Sequence, residues 1–132
     1  NIISGVSFSG TTSAQFDLFA GTINIQSGGG TLRFSSDSSG NNFGSLAPTF
    51  IINGTLQPRD AGNSIQLGAF SGSGTLTGPQ SNAKTGSTIY NIGANNSSAN
   101  FSGNISSNTA VVGSLVVVNK YGTGTLTLNG AS

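Results

Sequence analysis

The chain has 132 residues, a net charge of +1 and 5% charged side chains, against roughly 25% in ordinary globular domains. It contains no Cys, His, Met or Trp, which excludes a disulfide framework, thiolate or imidazole metal sites and any catalysis that needs histidine. Arg33, Arg59, Lys84 and Lys120 stand scattered against Asp17, Asp37 and Asp60, so neither nucleic acid nor an anionic membrane surface finds a basic footprint.

Disordered chains combine high net charge with few aromatic and β-branched residues. Here 8 Phe accompany many Ile, Val and Leu in alternating positions, and the chain reads as folded and all-β. Taken in order, alternation of period two predicts short strands over 6–9, 15–19, 22–25 and 31–34. Residues 35–44 are polar and Gly-rich and predict a protruding loop. A strand over 49–52 runs into the turn signal Asn53-Gly54. A loop over 58–62 and a strand over 64–67 follow. Residues 78–87 contain Pro79 and no apolar period, which predicts a second excursion. Strands then fall at 88–92, 99–102, 104–106, 115–118 and 125–128, the last closed by Asn129-Gly130. No segment carries a helical period, so essentially no helix is expected.

Self-similarity orders these pieces. Gly-Thr-apolar recurs at Gly21-Thr22-Ile23, Gly30-Thr31-Leu32, Gly54-Thr55-Leu56, Gly74-Thr75-Leu76 and Gly124-Thr125-Leu126. From Gly30 the steps are 24, 20 and 50 residues, and one coil of a β-solenoid takes 20 to 25. The prediction is one β-solenoid module of five or six coils over residues 1–132, about 25–30 Å long at the strand spacing. An antiparallel jelly roll is the alternative, since short Gly-bounded strands suit both.

The run 67–78, Leu-Gly-Ala-Phe-Ser-Gly-Ser-Gly-Thr-Leu-Thr-Gly, the segment Tyr90-Asn91-Ile92-Gly93 and the Lys-x-Gly-x-Gly-Thr-Leu-x-Leu-x-Gly pattern over 120–130 together resemble the autotransporter-associated (passenger-associated) β-strand repeat. The resemblance covers 54–132, leaving 1–53 as divergent N-terminal coils. It implies a right-handed parallel β-helix, secreted or displayed on the surface of a bacterium, one unit of a head-to-tail series serving as a fibre, stalk or adhesin. The family has no catalytic residues and implies no cofactor. The first residue is Asn1 rather than Met, which predicts a processed or excised chain.

Chemistry is sparse by the same reading. Asp17, Asp37 and Asp60 are spaced near one coil and could stack on one face as a carboxylate cluster for glycan chemistry or Ca²⁺, but three solvated loop or corner residues is the preferred reading. Thr123, Thr125 and Thr127 with Thr75 and Thr77 could form a flat, ice-ordering face, but the Thr pairs do not recur at every coil, and β-branched propensity alone explains Thr on the solvent side of strands. Asn53, Asn95, Asn96, Asn100 and Asn104 begin glycosylation sequons. Phe8, Phe16, Phe34, Phe50, Phe70 and Phe101 read as a core stack. No catalytic, cofactor or metal residue is expected, so the function expected is structural, with carbohydrate binding and then ice binding as alternatives. Solenoid ends are normally capped, and none of the charge or helix of a cap is legible here. The expected partner is therefore the chain itself or further repeats, with glycans next, and neither nucleic acid nor a membrane. The expected contacts are Ile2, Ile3, Val6 and Phe8 at one end and Leu115, Val117, Leu126 and Leu128 at the other.

Overall fold

A computed structural model describes residues 1–9, 19–35, 40, 42–81 and 84–130. Within them the chain forms twelve strands and no helix: β1 (Gly5–Ser9), β2 (Thr22–Ile25), β3 (Thr31–Ser35), β4 (Asn42–Ile52), β5 (Thr55–Pro58), β6 (Ser64–Ser71), β7 (Thr75–Thr77), β8 (Thr88–Ile92), β9 (Ala99–Phe101), β10 (Asn104–Ser106), β11 (Val116–Lys120) and β12 (Leu126–Leu128). One sheet stacks β1-β3-β5-β7-β10, a second β11-β8-β6-β4-β2, and β12 pairs with β9. Every one of these pairings is parallel. A jelly roll is thereby excluded. The fold is a β-solenoid of about four turns.

Among the described residues the turns have three sides, and β4 spans two of them by bending. Its register with β6 shifts between Ser45 and Thr49. The first half of β6 continues to β8 and β11. The second half leads through the Gly72–Phe101 bridge to β9 and β12. The third side is the sheet that β10 ends.

Glycines at one corner let the turns stack. Gly30, Gly54, Gly74, Gly103 and Gly130 lie above one another, and a Cβ placed on any of the last four would overlap the carbonyl oxygen of the glycine beneath. These glycines have ordinary φ, so the need is for closeness of backbones and not for a left-handed residue. That closeness makes the inter-turn bonds: Thr55 N–H donates to Gly30 O (2.8 Å), Thr75 N–H to Gly54 O (2.8 Å) and Asn104 N–H to Gly74 O (2.9 Å). The recurring Gly-Thr-Leu motif is this corner, with the small residue at the contact, the amide that follows it donating, and the leucine pointing inward.

Inward columns form the core. Leu32, Leu56 and Leu76 stack in register and are fully buried. Phe34 and Phe43 stack with ring centroids 5.6 Å apart, and Phe70 and Phe101 lie 4.7 Å apart. Burying each such side chain contributes roughly 1.5–3 kcal/mol, which a chain without disulfides or charge networks needs. Phe34, Phe50, Phe70 and Phe101 are core residues as expected; Phe16 and the Phe8 side chain lie outside the described residues. Phe43 corrects the expected loop over 35–44. Ser35 ends β3, residues 42–44 already belong to β4, and Phe43 is wholly buried. One apolar residue among Asn and Gly gave no visible alternation. The corner at 78–79 is buried rather than protruding.

Tyr90 is the polar member of the core. Its hydroxyl donates to Thr77 O (2.7 Å) and lies 3.2 Å from Leu56 O, tying β8 across the interior to the opposite sheet. Burial pushes this hydroxyl far above the ordinary tyrosine range.

Two outcomes follow from the corner and the core. Gly74→Ala should lose at least about 2 kcal/mol in urea denaturation, while Gly5→Ala, with nothing within 4 Å of the added methyl, should stay within about 0.5 kcal/mol. Tyr90→Phe should cost about 1–2 kcal/mol near neutral pH. Because the folded-state pKa is raised, the wild-type stability is complete below the unfolded value of about 10 and should fall by about 1.4 kcal/mol per pH unit above it. That alkaline slope should be missing from Tyr90→Phe, as alkaline denaturation curves would reveal.

Candidate functional site

Among the described residues the surface offers little that resembles a reaction centre. Asp60 is buried at a corner, with Oδ2 3.7 Å from Arg59 Nε and Oδ1 without a hydrogen-bond partner. Asp17 and Asp37 lie outside the described residues. No group of three His, Cys, Asp or Glu that could hold a metal occurs among the described residues. With the Gln57 amide oxygen turned towards it, Arg33 donates through Nη2 (2.8 Å) and Nε (3.2 Å). That pairing joins neighbours on the outer face of the first sheet.

Thr31, Thr55 and Thr75 make a column on that face, and beside it run Arg33 and Gln57. Thr77 shares β7 with Thr75, but Thr127 belongs to β12, in another sheet. The threonines singled out in the sequence therefore do not gather on one plane. The sequon asparagines carry hydrogen bonds of the solenoid. Asn53 Oδ1 accepts from Ser73 N–H (3.2 Å) and Asn96 Oδ1 from Thr123 N–H (3.0 Å). Asn100 Oδ1 accepts from Asn129 Nδ2 (3.2 Å), and Asn95 Oδ1 from Ser97 N–H (3.1 Å). Asn104 Nδ2 donates to Ser106 Oγ (3.4 Å). Asn96, at φ 64°, is the non-glycine residue that turns left-handed at its corner, a conformation asparagine tolerates better than most.

Among the described residues the sheets have edges at both ends, at β1 and β2 in the first turn and again in the last. Among the described residues β10, β11 and β12 each end their sheet, so each carries an edge of open N–H and C=O groups. Val116 stands above Thr88, Val118 above Tyr90, Leu126 above Ala99 and Leu128 above Phe101. Among the described residues the core columns thus run as far as this turn: Leu128 is 50% exposed, whereas Phe101 beneath it is 1% exposed. Val112, Leu115, Val117 and Tyr121 are exposed large side chains of the same turn. Outside the columns, Asn119 Nδ2 donates to Asn91 Oδ1 (3.1 Å), an amide ladder that also reaches this turn.

The predicted contact residues fall into three groups. Leu126 and Leu128 lie at the ends of core columns. Val117 stands above Ile89 on the outer face, and Leu115 is exposed just before β11. At the other end Ile2 bridges to Ile25 and packs on the core, while Ile3 is 73% exposed. Val6 and Phe8 have their backbone in β1; their side chains lie outside the described residues. Val116 and Val118 were not legible as end-column residues, because the apolar run 115–118 shows no parity and only the register with β8 sets it.

Lys120 was not legible either. It takes the position above Ile92, which itself lies above the buried Leu67, so a cation occupies an inward register. Its Nζ donates to the carbonyls of Tyr121 and Gly122. The ammonium thereby satisfies corner carbonyls, and charged residues at inward positions are a known way of blunting a sheet edge.

Comparison with known protein families, curated proteins and solved structures returns no match.

Proposed function

We propose that the chain is a non-catalytic structural module that stacks end to end, coil on coil, into a fibre, filament or stalk on the surface of a bacterium. The observation that carries the stacking is the last described turn: the core columns reach partly buried Leu126, Val116 and Val118 and half-exposed Leu128, beside three strand edges with no neighbour among the described residues. Between turns, those same apolar columns and backbone edges are what hold the solenoid together. A further coil, from a second copy or from additional repeats, would bury them by the same contacts. The bacterial surface location rests on the resemblance to the autotransporter-associated repeat.

A near-neutral chain has little colloidal repulsion, which favours such contacts. Lys120 makes the end less than fully apolar, and a seated coil has to leave its ammonium solvated at the corner or supply an acceptor.

Sedimentation of the purified chain over a concentration series tests the reading, with Leu128→Lys as the comparison. The wild type should form end-to-end assemblies. The variant, whose added ammonium stands where the next coil would sit, should need at least about ten-fold more protein, because an uncompensated buried charge costs several kcal/mol. Residue 128 is half exposed, so the variant should keep the wild-type unfolding midpoint. A wild type that stays monomeric up to its solubility limit would contradict the proposal.

A further inference from the structure

The sequence has two Asn-Gly pairs, and the fold treats them oppositely. Asn53-Gly54 is clamped on both sides. Asn53 and Gly54 both donate their backbone N–H to Ile25 O (2.8 and 2.9 Å), and Gly54 O accepts from Thr75 N–H (2.8 Å). The Asn53 side chain is held by Ser73 N–H (3.2 Å). Asn129-Gly130 belongs to the last described turn, and both residues are exposed. Asn129 donates its N–H to Phe101 O (2.9 Å) and its Nδ2 to Asn100 Oδ1 (3.2 Å). Among the described residues nothing binds the Gly130 N–H.

We infer that Asn129 is a self-modification site, converting spontaneously to aspartate and isoaspartate, and that stacking of the turns protects Asn53 from the same reaction. The Gly130 nitrogen attacks Asn129 Cγ. A bond from that nitrogen to Cγ forms, the Cγ–Nδ2 bond breaks, and Nδ2 leaves as ammonia with the proton that the Gly130 nitrogen loses. The resulting succinimide takes up one water at either carbonyl. Opening at one side gives aspartate, and at the other isoaspartate, with the backbone then running through the side chain. No oxidant or cofactor enters. Glycine permits the attack because no Cβ obstructs the approach to its nitrogen. At Asn53 the attacking nitrogen must first give up its bond to Ile25 O and leave a stacked corner, a local opening of the solenoid.

The product alters the last described turn. At position 129 a carboxylate replaces the amide that donates to Asn100 Oδ1, so that hydrogen bond is lost and the Asn100 amide has to turn its Nδ2 towards the new acceptor. Isoaspartate also lengthens the backbone immediately before the last glycine of the corner column. Resting on the stacking reading alone, a second consequence follows: a coil seated on this end shields Asn129, so modification is slower in assemblies than in monomers.

Incubating the folded chain at mildly alkaline pH, digesting it and locating amide-to-acid conversion by mass spectrometry tests the inference. Asn129 should convert at least about ten-fold faster than Asn53, which corresponds to an opening cost of about 1.4 kcal/mol at the protected site. In urea the two sites should convert at similar rates. Asn129→Gln should remove the reaction at that position while leaving Asn53 unchanged. Equal rates in the folded protein, or no conversion at Asn129 while the urea sample reacts, would overturn the inference. The comparison of monomers with assemblies is a separate readout: equal Asn129 rates in both would contradict stacking over this end and leave the monomer result standing.

Discussion

The approach of one glycine backbone to the next at a stacked corner is the constraint on which the solenoid depends. Gly54, Gly74, Gly103 and Gly130 each lie where a Cβ would overlap the carbonyl below. At that distance the following amide reaches the lower carbonyl, as Thr55 does to Gly30 and Thr75 to Gly54. Parallel strands then fall into register on either side of the corner, and the leucine after each threonine points into the core. A larger residue would separate the turns and loosen the leucine and phenylalanine columns with them. Turn lengths vary under this constraint, since residues inserted away from the corner leave the column intact. Even residues 27–29, which form a turn just before Gly30, leave the column in place.

The same geometry explains what lies at the end. Within the chain, each turn supplies the one below with amides, carbonyls and apolar side chains. At the last turn these remain on offer. Leu128 over Phe101, Val118 over Tyr90 and Asn119 over Asn91 repeat the inner contacts with nothing above them among the described residues. Lys120 is the exception, placing an ammonium over Ile92 and spending it on two corner carbonyls. The end is consequently part apolar and part polar-closed, and whatever covers it must fit both.

Much of the fold was legible in the sequence because the solenoid's periods are local. Alternation in 22–25, 31–34, 64–67 and 88–92 marks strands that the structure contains. The Gly-Thr-Leu repeats mark the stacked corner at Gly30, Gly54 and Gly74. The same motif at Gly124 instead opens a strand of another sheet, β12, because a turn has more than one glycine corner. Phe43 was hidden in polar sequence. The parity of residues 115–118 was hidden by their uniformity, and only pairing with β8 shows that Val116 and Val118, not Val117, continue the core. The two Asn-Gly pairs look alike as sequence. Their difference lies in how many turns cover each, which no local pattern encodes.

Fibre diffraction from aligned assemblies of the purified chain tests most directly whether the coil-on-coil contact continues between molecules. The account predicts a sharp reflection at about 4.8 Å along the assembly axis, because strands stacked at that spacing would run on from one chain into the next. A reflection of that spacing perpendicular to the axis, or assemblies joined side by side with their solenoid axes across the fibre, would contradict it.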